Sequence, residues 1–411
     1  MLSRKQYLYK LLKMAKNKKD LINLFYIFLT IHLALWTIVP TVVNQNLPLD
    51  TIEALAWGSN LDWGFNKHPP LSAFFSQIVF IIFGSSDWAY YLLSQIFVVI
   101  SFYFVFKLSN ELLNNLNLSF ISVLLLEGIY FYNFTTPEFN VNISQLPFWS
   151  ITVYYTWKIF SQKVPNVKDL TLLGIFAAGG FLSKYLFLYL LIAIDLLFFY
   201  LIFISKEKKF QFSYLISFEV FILLLIPHLI WLTNNDFITI AYGLARTDAT
   251  EFQLLNHIIN PTLYILKQIG ILVPFFFLLF ILLKKIKFKF NLRDKKLLFL
   301  FFINIVPLLL MLITSIILGS KIRTMWMTPF YLFNGLFFVY LFKNYIEIKK
   351  INKFLICFIF VFLFSPFAYT IVSISKDDKR TDYPGKKIAQ KVQNEWDQNF
   401  DDSIEFVIGD E

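Results

Sequence analysis

Apolar runs of about twenty residues recur from one end of this chain to the other, and they leave it few ways to fold. A run of that length crosses the hydrocarbon layer as a helix, and in lipid only a structure that satisfies its own backbone hydrogen bonds survives. Spans are expected at roughly 21–43, 87–107, 117–133, 142–160, 168–183, 184–205, 211–232, 261–283, 296–318, 326–343 and 353–374, about eleven in all. The stretch 70–84 is apolar but short, and suits an interfacial or re-entrant helix better than a crossing. Of the 411 residues, 57% are hydrophobic and only 16% charged, against about 45–50% and 25% in soluble domains. The expected fold class is an all-α polytopic membrane protein.

The loops test that count. Basic residues cluster in 1–19, around Lys158–Lys168, at Lys206–Lys209, at Lys284–Lys296 and at Lys343–Lys353. With eleven spans every cluster falls on the side of the N-terminus, which the positive-inside rule makes cytoplasmic. The net charge of +10 thus sets orientation and is no sign of nucleic-acid binding. The first span lacks a small-residue cleavage site and reads as a signal anchor. Cys357 stands alone, which excludes an intrachain disulfide framework. The chain divides into a cytoplasmic basic segment (1–19), a transmembrane domain (20–374) with its first outer loop at 44–86, and an extracytoplasmic tail (375–411). In the tail, Asp382-Tyr383-Pro384-Gly385 signals a turn and Ile388, Val392 and Trp396 mark one face of a helix. The run Ile404-Glu405-Phe406-Val407-Ile408 reads as a strand, so the tail resembles the start of a small α/β domain. One helix and one strand cannot build a core, so the tail is either truncated or packed on the membrane domain or a partner.

Chemistry gathers on the outer side. Pro48 suits the first turn of a short helix, on which Asp50 and Glu53 share a face. A carboxylate there either acts as general base on an acceptor hydroxyl, holds a cation, or merely solvates the surface. Lys67 and His68 precede Pro69-Pro70, a helix start whose first amides face back toward them. That is an anion site suited to phosphate, or a headgroup anchor. Glu138 and Asn142 lie between the third and fourth spans, where a capping loop is the plain alternative to an acceptor or sugar contact. Lys184 sits between two apolar spans with almost no loop, and either snorkels or faces a phosphate. His228, near the outer end of the seventh span, packs or binds. Lys321 and Arg323 precede Trp326 and suit a lipid phosphate or an anchor. Arg246, Asp248 and His257 read as solvated loop residues, and His32 as a hydrogen-bonded core residue.

There is no phosphate-binding glycine loop, dinucleotide fingerprint, cysteine-rich zinc site or HExxH pattern. No nucleotide cofactor is expected, and a donor loaded in the cytoplasm does not fit. Chemistry outside the membrane then draws on a substrate already in the bilayer, and a polyprenyl-phosphate sugar meets that need.

Four pieces carry a resemblance over nearly the whole chain. They are Trp63-Gly64-Phe65-Asn66-Lys67-His68-Pro69-Pro70-Leu71 after the acidic first loop; Gly179-Gly180-Phe181-Leu182-Ser183-Lys184-Tyr185; Pro227-His228-Leu229-Ile230-Trp231; and Lys321-Ile322-Arg323-Thr324-Met325-Trp326, with Asp382-Tyr383-Pro384-Gly385-Lys386. In these the chain resembles the polytopic glycosyltransferases of family 39 type, the bacterial relatives of dolichyl-phosphate-mannose protein mannosyltransferases and of the lipid A aminoarabinose transferase. The resemblance implies the C-type glycosyltransferase fold and a place in a bacterial inner membrane. It implies sugar transfer from a polyprenyl-phosphate carrier to an extracytoplasmic acceptor: lipid A or another glycolipid, a glycan or a protein. Asp50 takes the place of the family's first-loop acid, and Lys67, Lys184 and Arg323 those of its carrier-phosphate cations. Glu138 stands where the family often has Asp. Some relatives hold a divalent metal near the first loop, for which Glu53, His68 and His228 are the candidates. The reading from another class is a lipid-linked sugar transporter or flippase, which would show paired repeats and polar groups near mid-membrane.

Overall fold

The computed structural model describes residues 18–247, 253–288, 290–291, 293–375 and 379–405. Besides the single turn Val141–Ser144, the α-helices are α1 (Lys18–Val43), α2 (Leu49–Gly58), α3 (Leu71–Phe83), α4 (Asp87–Leu113), α5 (Leu116–Leu124), α6 (Leu146–Ser161), α7 (Val167–Ser183), α8 (Leu188–Phe199), α9 (Leu215–Asn234), α10 (Ile238–Ala245), α11 (Asn256–Leu282), α12 (Lys295–Leu318), α13 (Asn334–Phe342), α14 (Ile351–Ser375) and α15 (Gly385–Asn399). Among the described residues no strand forms. Residues 404–405 of the expected tail strand are irregular, and 406–408 lie outside the described residues.

Every expected span is occupied by helix, but not every one is a long helix. Among the described residues seven stretches are long and apolar enough to cross a bilayer: Lys18–Val43, Asp87–Leu113, Tyr185–Ile204, Phe212–Asn234, Asn256–Leu282, Lys295–Leu318 and Ile348–Ser375. An eighth counts if Thr324–Tyr331 and Asn334–Phe342, bent by 52°, form one broken span. The spans expected at 117–133, 142–160 and 168–183 are shorter helices, and the first ends in 3-10 turns. They pack among other helices: α5 on α4 and α13, α6 on α4 and α7, and α7 on α6 and α9. A segment walled by other helices owes less of its solvation to lipid, so length and apolarity are less strictly required of it. The 3-10 turn Leu125–Gly128 crosses α11 so closely that a Cβ on Gly128 would lie 2.7 Å from the Phe275 backbone.

The loops sort to two ends. At one end Lys295 pairs with Glu207 (2.8 Å), Lys158 pairs with Glu111 (3.5 Å), Lys208 reaches the carbonyl of Gln162 (2.8 Å), and Lys296 reaches that of Leu112 (2.7 Å). These are the loops that carry the basic clusters. The opposite end gathers the loop 44–70, residues 138–142, 239–247 and 323–326, and the segment Arg380–Asp382.

His32 is a hydrogen-bonded core residue, as expected. Its Nδ1 lies 2.7 Å from Oε1 of Glu127, with both side chains fully buried. The tightest helix contact is at Gly335 on α13, where a Cβ would stand 1.8 Å from the backbone oxygen of Ser122 on α5. Backbone cannot yield there as a flexible side chain would. Gly335→Ala should therefore destabilise the protein by about 1–3 kcal/mol despite alanine's better helix propensity. The melting temperature of the detergent-purified protein measures this, and an unchanged or raised value would contradict the packing.

Candidate functional site

Pro48 stands at the N-cap and the helix runs from Leu49, so Asp50 and Glu53 share a face as their spacing requires. Two bonds fix the first turn of α2 to the loop before α6. The Asp50 amide donates to Oε1 of Glu138 (3.3 Å), and the Thr51 hydroxyl donates to the Phe139 carbonyl (3.1 Å). Glu138 thus caps α2, and its carboxylate lies beside that of Asp50.

The loop after α2 is clamped from α9 and α10. His228 spends one ring nitrogen on the Trp63 carbonyl (2.6 Å) and the other on the Tyr185 hydroxyl (2.7 Å). The Trp231 indole donates to Asp62 (2.7 Å), and Thr239 donates to the Phe65 carbonyl (2.6 Å). Gly64 is required there, because a Cβ would meet the Trp231 ring at 2.3 Å. The clamped loop delivers Lys67 and His68 to the start of α3, which opens at Leu71 directly after Pro69-Pro70.

These elements enclose a cavity of about 550 Å³. Asp50 and Glu53 line it together with Lys67, His68, Asn142, Lys184, Arg246, Arg323, Trp326 and Arg380. Lys67 is held by Glu53 at 2.5 Å. Lys184, buried, donates to the Asn142 side-chain oxygen and lies 5.4 Å from the Trp326 ring centre. Five cationic side chains therefore face two carboxylates, with Glu138 behind Asp50.

Burial raises the Asp50 carboxyl above its ordinary value, against the pull of Lys184, Arg380, Lys67 and Arg246. Burial, and then repulsion from Asp50, pushes Glu138 up to about 7. Each carboxyl thus resists the charge of the other, and Glu138 is the more readily protonated of the two. His68 is pushed down to about 3 by burial and then by Lys184, Lys67 and Arg246. It is a neutral imidazole at physiological pH, and so a hydrogen-bonding group where the sequence suggested a partner for Lys67 in anion binding. Lys184 lies in the junction before the Tyr185–Ile204 span, and burial draws it down to about 7 against the pull of Asp50.

Of the sequence candidates, Asp50, Glu53, Lys67, His68, Asn142, Lys184 and Arg323 meet in this cavity, and Glu138 adjoins it. Lys321 does not line it: its amide bonds the Thr247 carbonyl and its side chain is exposed. His228 is a clamp, with both ring nitrogens engaged by protein. Among the described residues no three His, Cys, Asp or Glu side chains come together to hold a metal, so Glu53, His68 and His228 do not form such a set. Asp248 lies outside the described residues. Two cations were missed. Arg246 reads as solvated loop charge, yet it lines the cavity with Tyr242, whose ring centre lies 5.7 Å away. Arg380 follows the last span and returns because the amides of Gln45 and Asn46 both bond the Thr381 carbonyl (3.2 and 2.9 Å). No sequence pattern announces that pairing.

Residues 67–231 match the family described as dolichyl-phosphate-mannose-protein mannosyltransferase. The fold is similar to that of ArnT from Cupriavidus metallidurans, whose crystal structure holds undecaprenyl phosphate. The TM-score is 0.59 at 11% identity, over 83% of this chain and 63% of that one. The chain thus spans less than two thirds of that relative's length. No curated protein sequence matches it. The resemblance to the family-39-type glycosyltransferases carried by the sequence motifs is therefore found again in the 67–231 match and in a fold similar to that of ArnT.

Proposed function

We propose that the protein is an integral membrane glycosyltransferase that moves a sugar from a polyprenyl-phosphate carrier to an acceptor outside the cytoplasm. One observation carries the reading: a half-buried carboxylate, Asp50, faces Lys67, Lys184, Arg246, Arg323 and Arg380 across one cavity at one end of the bundle. The loops that carry the basic clusters gather at one end of the bundle and the cavity at the other, which supports a basic end in the cytoplasm, as the eleven-span reading expects.

In this reading the carrier phosphate lies among Lys184, Lys67, Arg246 and Arg323, near the start of α3. The acceptor hydroxyl gives its proton to Asp50 as its oxygen attacks the anomeric carbon. The bond from that carbon to the phosphate oxygen breaks, and its electron pair leaves with the lipid phosphate, whose charge the cations stabilise. Attack opposite the leaving group inverts the anomeric carbon. A lipid phosphate leaves readily, so no strong general acid is needed. Glu138 positions Asp50 through its backbone amide.

Purified protein in vesicles, given polyprenyl-phosphate sugars and envelope lipid or glycan acceptors, tests this by mass spectrometry of the products. Carrier movement across the bilayer without glycosyl transfer would replace the reading with the transporter. The cavity also makes a finer forecast. Arg246→Ala should raise the KM for the carrier sugar about tenfold or more, the worth of one charge-assisted hydrogen bond. Lys321→Ala, outside the cavity, should leave KM within about twofold. Equal effects of the two would undo the assignment of the phosphate to the cavity.

A further inference from the structure

Away from the cavity, α11 carries a lysine on its lipid side. Lys267 stands about 16 Å from the start of that helix, within a candidate membrane span. It is exposed and has no hydrogen-bond, ion-pair or ring partner among the described residues. An unpaired cation on a membrane-spanning helix is costly, and it marks a functional position unless something neutralises it.

Its surroundings describe what that something is. Lys267, Gly270, Ile271 and Pro274 recur at i, i+3, i+4 and i+7, one face of α11, and line a groove of about 330 Å³ with Tyr130 and Thr324 opposite. Pro274 has no amide proton, so the Gly270 carbonyl four residues earlier lacks its helical donor and is open to another. At Gly270 nothing beyond the adjoining residues and the helix's own backbone lies within 4 Å of where a Cβ would stand, so the groove is open there. The exposed side chains of Leu266, Ile269 and Val273 flank it with apolar surface on which acyl chains can lie.

We propose that this groove holds the headgroup of an anionic bilayer phospholipid, its phosphodiester on Lys267 and a headgroup hydroxyl on the Gly270 carbonyl. One lysine matches a singly charged diester. The carrier, a diester while it bears the sugar and a more highly charged monoester once the sugar has left, finds five cations in the cavity instead. The site stands on the membrane span and not on the transfer chemistry. It touches that chemistry at one place. Thr324 lines the groove while its neighbours Arg323 and Met325 line the cavity, so a bound lipid braces the wall between them.

The test uses the full chain in detergent with phosphatidylglycerol or phosphatidylcholine of the same acyl chains, read by native mass spectrometry and thermal shift. Phosphatidylglycerol should be retained and should raise the melting temperature, and phosphatidylcholine should do neither. Lys267→Gln should weaken phosphatidylglycerol binding at least tenfold. Gly270→Leu fills the groove from an open position and should block it with the fold intact, which keeps the test decisive if the lysine variant folds poorly. Phosphatidylglycerol binding that both variants leave unchanged overturns the proposal. So does a loss on Lys267→Gln that appears with undecaprenyl phosphate alone, because the groove would then belong to the carrier.

Discussion

Asp50→Asn should lower the proposed sugar transfer about 10³-fold, within the range a positioned general base supplies, while the protein keeps its melting temperature to within a few degrees. The substitution keeps the side chain's shape and an oxygen that accepts hydrogen bonds. It removes only the ability to take a proton and the negative charge. The amide of residue 50 still donates to Glu138, and Thr51 still holds the Phe139 carbonyl, so α2 stays in place. Burial already works against the charged form of Asp50, which limits what the folded state loses with the charge. Glu138→Gln is the matched comparison. Its carboxamide oxygen can still cap α2, and the group it replaces holds a proton below about pH 7. Its effect on rate should therefore be about tenfold or less, the work of a group that acts through another. A fully active Asp50→Asn enzyme would remove the base from the mechanism. A Glu138→Gln enzyme as crippled as Asp50→Asn would move the proton acceptance to Glu138.

The parts of this site that sequence reveals are those set by local chemistry. Pro48 fixed the start of α2 and so put Asp50 and Glu53 on one face, and Pro69-Pro70 fixed the start of α3 behind Lys67 and His68. What stayed hidden depends on contacts distant in the chain. Arg380 reaches the cavity only because two amides near residue 45 take up the Thr381 carbonyl. His228 looks like a ligand until Trp63 and Tyr185 occupy both its nitrogens. Lys321 and Arg323 are equivalent in sequence, and the turn of the backbone sends only Arg323 inward. The spans show the same division. Apolarity marks the helices that face lipid and equally α4, which is largely buried among its neighbours, and α5 breaks where Gly128 meets α11. Periodicity cannot tell those situations apart, since both are apolar.

The second large effect is a pH dependence carried by Lys184. In the free enzyme burial draws this ammonium down to about 7, so above pH 7 its charged fraction falls about tenfold per unit. A neutral amine cannot balance a lipid phosphate. The kcat/KM for the carrier sugar, which reports the free enzyme, should therefore fall through an alkaline limb beginning near pH 7. A bound phosphate favours the ammonium, so the limb in kcat should lie at higher pH. Lys184→Arg separates this from other titrations, because a guanidinium stays charged throughout and stacks on an aromatic ring such as Trp326. That variant should lose some activity at pH 6, where its longer head fits the Asn142 contact less well, and should surpass the parent protein by pH 9. Lys184→Met should cost about 10²-fold in kcat/KM at pH 6, near the upper worth of a charged hydrogen bond, and should show no limb of its own. Glu138 titrates in the same range, so the limb has to survive in Glu138→Gln to belong to Lys184. A flat profile from pH 6 to 9 in the parent protein would mean that Lys184 keeps its proton throughout, and that Asp50 and the solvent in the cavity offset its burial more fully than the packing around it implies.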